Sequence, residues 1–78
     1  ESAGSNARVN ELVSKLTPRE REIAELIADG ASSRDVAEKL DLSVRTVEGY
    51  RSRILDKLKA DSLAQMIKTI HAARGAIH

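Results

Sequence analysis

The stretch from Ser43 to Lys59 carries most of the side chains suited to binding another molecule. At about 100° per residue, Arg45, Glu48, Gly49, Ser52, Arg53 and Asp56 would share one side of a helix. Arginine and hydroxyl groups hydrogen-bond to phosphate oxygens, and a carboxylate accepts from the exocyclic amine of cytosine, so such a side suits the major groove of duplex DNA. Charge is sorted in the same way. Ser43–Lys59 holds five basic residues against two acidic ones, a net +3, whereas Thr17–Leu42 holds four against seven, a net −3, within a chain whose overall charge is only +1. The cationic surface is therefore confined to one segment. A charge run alone is commonly no more than a solvated face, so the surrounding elements decide.

Those elements are helical. Val47, Tyr50, Ile54 and Leu58 fall within about 80° of one another, with Val44 and Leu55 flanking, and form the buried side of the same helix. Arg51 lies at the edge of this apolar side and reads as a snorkelling side chain, not a base reader. Tyr50, the one aromatic residue, reads as a core residue with its hydroxyl at the rim. Upstream, Thr17, Pro18 and Glu20 combine three helix-start signals, and Gly30 supplies a left-handed stop, which predicts a helix over roughly Pro18–Asp29. Ser32 and Asp35 repeat the start signal for a short second helix containing Val36, Ala37 and Leu40. Only Asp41 and Leu42 separate it from Ser43, the cap of the next helix, which is the length of a helix-turn-helix connection. Asp61 or Ser62 opens a further helix whose Leu63, Met66, Ile67 and Ile70 share one face, before Gly75 ends the pattern. Residues 1–6 lack periodicity and read as linker, and Val9, Leu12, Val13 and Leu16 suggest a short lead-in helix over Arg8–Lys15. The expected architecture is an all-α, four-helix domain over residues 16–74, with a lead-in at 1–15 and a tail at 75–78.

Four segments, Leu16-Thr-Pro-Arg-Glu-Arg-Glu-Ile, Ser32-Ser-Arg-Asp-Val-Ala, Leu42-Ser-Val-Arg-Thr-Val-Glu and Ile54-Leu-Asp-Lys-Leu, together resemble the LuxR-type helix-turn-helix family, also called the GerE or FixJ type. The resemblance covers about Leu16–Ile70. It implies a bacterial transcription-regulatory domain, usually the C-terminal output module of a response regulator, preceded by a receiver domain phosphorylated on aspartate. Ser62-Leu-Ala after Lys59-Ala-Asp is nearest to the FixJ-like branch. Carried onto this chain, the resemblance places Glu48, Gly49 and Ser52 toward the bases. Glutamate selects cytosine, serine selects little, and glycine offers only close backbone approach, so direct readout is expected to be thin. Gly49 departs from the larger residue common in the family, and Tyr50 stands where many members have histidine. Arg45, Thr46, Arg53 and Lys57 are the phosphate candidates by residue type and position. The resemblance further implies that a second copy pairs on DNA through the outer side of the last helix, at Ala64, Gln65, Lys68 and Ala72, with RNA polymerase as another candidate partner.

Other classes fit less well. Nothing in the chain pairs a nucleophile with a base or forms a phosphate-cradling glycine loop, and it has no cysteine. His71 and His78 stand alone near the end. We therefore expect no enzyme activity, cofactor or metal. With no apolar run near the roughly 18 residues that span a bilayer, a soluble, cytoplasmic protein is expected. Because the first residue is Glu1, the chain reads as part of a longer protein. Region 4 of a sigma factor shares the Pro-Arg-Glu-Arg-Glu opening but typically ends soon after its recognition helix, whereas Asp61–Arg74 adds another here. A helical protein-interaction module, with the outer side of the third helix meeting an acidic partner, is the alternative from a different class.

Overall fold

The computed structural model describes residues 2–75 of the 78-residue chain. Five helices follow one another: α1 (Ser2–Val13), α2 (Pro18–Ala28), α3 (Ser33–Leu40), α4 (Val44–Lys57) and α5 (Leu63–Gly75). There is no strand among the described residues. Local chemistry sets most of the boundaries. Thr17 Oγ1 accepts the Glu20 N–H at 3.2 Å while Glu20 returns a carboxylate oxygen to the Thr17 N–H at 2.9 Å. Ser32 and Asp35 make the same reciprocal pair at 3.1 and 3.0 Å. Each such cap contributes about 1 kcal/mol by satisfying amide groups that a helix start leaves unpaired. Gly30 follows α2 with φ of 107°, a conformation that a side chain would strain.

α2 sits at the centre, packed against α4 and α5, with α3 beside α4 and α1 along α5. Ile23, Val36, Val47, Ile54, Met66 and Ile70 are fully buried where these helices meet. Burying each contributes about 1.5–3 kcal/mol, a substantial part of the stability available to so small a domain.

Three expectations are corrected. α1 begins at Ser2, so residues 2–6 continue the helix that was expected only from Arg8. Packing of Val9, Leu12 and Val13 on the core supplies the nucleated turns from which the helix extends toward its N-terminus. Leu63 has the angular position of the α5 core stripe yet is 37% exposed. It occupies the first residue of α5, whereas the side-chain bonds from α5 to α2 fall at His71 and Arg74. The buried stripe is instead Met66, Ile70 and Ala73, with Ile67 partly covered. α4 ends at Lys57, with Leu58 as its C-cap and Lys59 left-handed at φ of 54°. Glu1 and the tail beyond Gly75, including His78, lie outside the described residues.

Candidate nucleic-acid interface

α4 is aimed by its connection to α3. Asp41 closes α3 in the left-handed region at φ of 59°, and the Leu42 N–H returns to the Ala37 carbonyl at 2.8 Å. Ser43 then caps α4: its Oγ accepts the Thr46 N–H at 3.0 Å and donates to Thr46 Oγ1 at 2.9 Å. The Thr46 hydroxyl proton stays free to donate outward. Val47 and Ile54 are buried, while Arg45, Thr46, Glu48, Gly49, Ser52 and Arg53 are all exposed. α4 thus offers solvent the polar side read from its sequence. A Cβ built at Gly49 meets nothing within 4 Å. Packing does not require glycine there, and the helix gives up about 1 kcal/mol relative to alanine for a backbone open to close approach.

Behind this face lies a group the sequence did not reveal. Glu20, the cap partner of α2, is a buried carboxylate at 3% exposure. Its Oε1 accepts from Lys57 Nζ at 2.7 Å as well as from the Thr17 N–H, and Oε2 lies 3.8 Å from Arg53 Nε. The Lys57 hydrogen bond, aided by the Thr17 N–H, holds the Glu20 carboxyl below the usual carboxylate range despite its burial. Lys57 therefore ties α4 to α2 through one of its three donors, a structural tie that its expected phosphate role did not include. The sequence signal was partial. Glu20 could be assigned to the cap, but Lys57 is 37 residues away. Arg53 remains largely exposed, with its guanidinium carbon 4.7 Å from the centroid of the Tyr50 ring. Tyr50 itself is half-buried against the core. The ring orients Arg53 by a cation–π contact.

Arg51 joins the two helices of the motif. Its Nη1 donates to Ser33 Oγ of α3 at 2.6 Å and to Glu48 Oε2 at 3.3 Å. The snorkelling expectation holds in so far as the side chain is half-buried, but its head is a specific donor.

On α5, Ala64, Gln65 and Lys68 are exposed. Ala72 is half-buried and lines a cleft of about 210 Å³ with Val9 of α1 and with Lys59, Lys68 and Thr69. The outer side expected for pairing is thus bordered by α1 at Ala72. Gln65 also caps α5, accepting the Asp61 N–H at 2.7 Å. At the far end, Arg74 binds Glu25 at 2.8 Å and Asp29 at 2.9 Å, and His71 Nε2 lies 2.9 Å from the Ala28 carbonyl oxygen. These groups meet the negative end of α2. No cluster of three or more metal-ligating side chains occurs, and no helix is long and apolar enough to cross a membrane, among the described residues.

Comparison with known proteins decides what this arrangement belongs to. The family described as bacterial regulatory proteins, luxR family, matches residues 14–70. The chain belongs to that family. Its luxR-family fold is shared with full-length FixJ from B. japonicum, whose crystal structure superposes with a TM-score of 0.78 at 33% identity, covering 94% of this chain and 37% of that one. The tetrathionate response regulatory protein TtrR of Salmonella typhimurium is 48% identical over 54 residues, 69% of this chain and 26% of that protein. The transcriptional regulatory protein FixJ of Bradyrhizobium diazoefficiens is 38% identical over 56 residues, 72% of this chain and 27% of that protein. The chain spans about a quarter of the length of these curated relatives. They are regulators of transcription or of a response, in a non-enzymatic family, and this chain is a helix-turn-helix domain of that kind.

Proposed function

We propose that this luxR-family domain binds duplex DNA with α4 in the major groove, as the output module of a response regulator carrying a receiver domain. The observation that supports it best is the α4 surface: Arg45, Thr46, Glu48, Gly49, Ser52 and Arg53 lie exposed on a helix whose other side, at Val47 and Ile54, is locked in the core. Arg45, Thr46 and Arg53, with the remaining donors of Lys57, hold phosphates and set register, while Glu48, Gly49 and Ser52 face base edges. RNA polymerase is the partner through which a DNA-bound copy alters transcription.

A second copy pairs through the α5 side bearing Ala64, Gln65 and Lys68. Exposed Leu63 adjoins it, and Ala72 contributes only where α1 leaves it uncovered. So small an apolar area, with two Lys68 side chains facing each other, falls far short of the roughly 1,600 Å² of a stable interface. The free domain is therefore a monomer, and two half-sites about one helical turn apart supply the effective concentration that pairing needs. Sedimentation at tens of micromolar should show a monomer without DNA and cooperative double occupancy on a two-half-site duplex. A tight dimer without DNA, or independent filling of the half-sites, contradicts the pairing. An absence of any duplex binding contradicts the function.

A further inference from the structure

We infer that Arg51, braced by Ser33, is a positioning residue that sets the Glu48 carboxylate for reading a cytosine amine. Specificity at that base pair then depends on α3 as well as α4. The inference rests on the DNA-binding reading above and deepens it.

Glu48 has a difficulty that its side chain alone does not solve. Its carboxylate is 56% exposed, has several rotatable bonds to fix, and must enter a groove walled by phosphates. Ordering it costs rotamer entropy, and the approach is opposed by like charge. Arg51 answers both problems from one turn further along α4. Its side chain is only 26% exposed. The two hydrogens on Nη1 match two acceptors, Ser33 Oγ at 2.6 Å and Glu48 Oε2 at 3.3 Å. The shorter bond anchors the guanidinium to α3, and the longer one draws Glu48 to a fixed place and offsets its charge. A carboxylate has about four lone-pair sites, so Oε1 keeps its capacity to accept from cytosine N4 while Oε2 is held. The brace commits Nη1 to Ser33 of the first helix of the motif and to Glu48, which favours a positioning role for Arg51 over a phosphate contact.

The test uses the chain and its Glu48→Ala, Arg51→Ala, Ser33→Ala and Glu48→Ala/Arg51→Ala variants, each selecting from a random-sequence duplex library, followed by affinity measurements on the selected site and its single-base changes. Glu48→Ala should relax discrimination at one cytosine-bearing position of each half-site by about tenfold. Arg51→Ala should relax the same position to a similar extent, Ser33→Ala by a smaller factor, and the double variant no further than Glu48→Ala alone, because both residues act through one contact. The salt dependence should stay unchanged in Arg51→Ala. Ser33→Ala removes one half-buried hydroxyl at the first turn of α3 and keeps the test decisive should Arg51→Ala unfold. If Glu48→Ala relaxes the position while Arg51→Ala and Ser33→Ala leave it intact, the positioning role is overturned and the base reading stands. Uniform weakening in Arg51→Ala with a reduced salt slope would make it a phosphate contact and also overturn the role. An unchanged site in Glu48→Ala overturns the base reading and the inference with it.

Discussion

Replacing Lys57 with methionine should lower the unfolding free energy by about 2–3 kcal/mol and the thermal midpoint by about 10–20 °C. Removing one partner of a buried pair typically costs about 3–5 kcal/mol, since the other charge is left without compensation. The lower value applies because Lys57 is 34% exposed and Arg53 can move toward Glu20 from 3.8 Å. For a 78-residue chain whose total stability is about 4–12 kcal/mol, this is a large fraction. Glu20→Gln in the same background should recover much of the loss, because glutamine can still accept the Thr17 N–H that closes the cap. The pair also sets an acid limit. The folded Glu20 carboxyl lies below its unfolded value, so its contribution is complete above the unfolded pKa of about 4.3 and disappears as pH falls through the folded value. In Lys57→Met the Thr17 N–H still favours the charged Glu20 against its burial, so that part of the acid loss should shrink but keep its sign. Urea unfolding at pH 7 and at pH 4 measures both effects. A change below about 0.5 kcal/mol at pH 7 is the ordinary result for a surface position and would place the anchor of α4 elsewhere.

The second large effect is on affinity. Arg45→Ala/Arg53→Ala should weaken binding to all duplexes alike, by about 50-fold in 0.1 M salt, and reduce the slope of log K against log salt by about 1.8, or 0.9 per lost phosphate contact. Arg53 also lies over Tyr50 and near Glu20, so the double variant should be compared at a temperature well below its own melting point. An unchanged slope would assign the two arginines to solvent. Weakening confined to one sequence would make them base readers.

The parts legible in the sequence are those whose physics is local. Thr17 with Glu20, Ser32 with Asp35, and Gly30 declare both ends of α2 and the start of α3, each cap pair only three residues apart, and the α4 faces follow from helical periodicity except at Val44, which is exposed. Periodicity describes one helix at a time and is blind to what covers it. Leu63 has the correct angle but only partial cover, whereas Ala73 is buried yet too small to mark a stripe. The ties that assemble the domain were hidden for the same reason. Lys57 to Glu20, Arg74 to Glu25, and Arg51 to Ser33 join residues 37, 49 and 18 apart. Arg51 read as a snorkelling side chain and Lys57 as a phosphate candidate, and neither reading pointed to a partner on another helix. Asp41 and Lys59 adopt left-handed turns without glycine, so neither announced itself.

The central claim is that the exposed side of α4 meets DNA. It is tested most directly by titrating the isotopically labelled chain with a duplex of ~12 bp, about one helical turn, and following its amide resonances. A duplex of that length holds one copy and so removes any contribution from pairing through α5. The account predicts that the largest shifts fall on Ser43–Arg53, extend to Ser33 through Arg51, and leave His71–Arg74 nearly unmoved. Shifts centred on α5 or α1, with Ser43–Arg53 unchanged at saturating duplex, would contradict it.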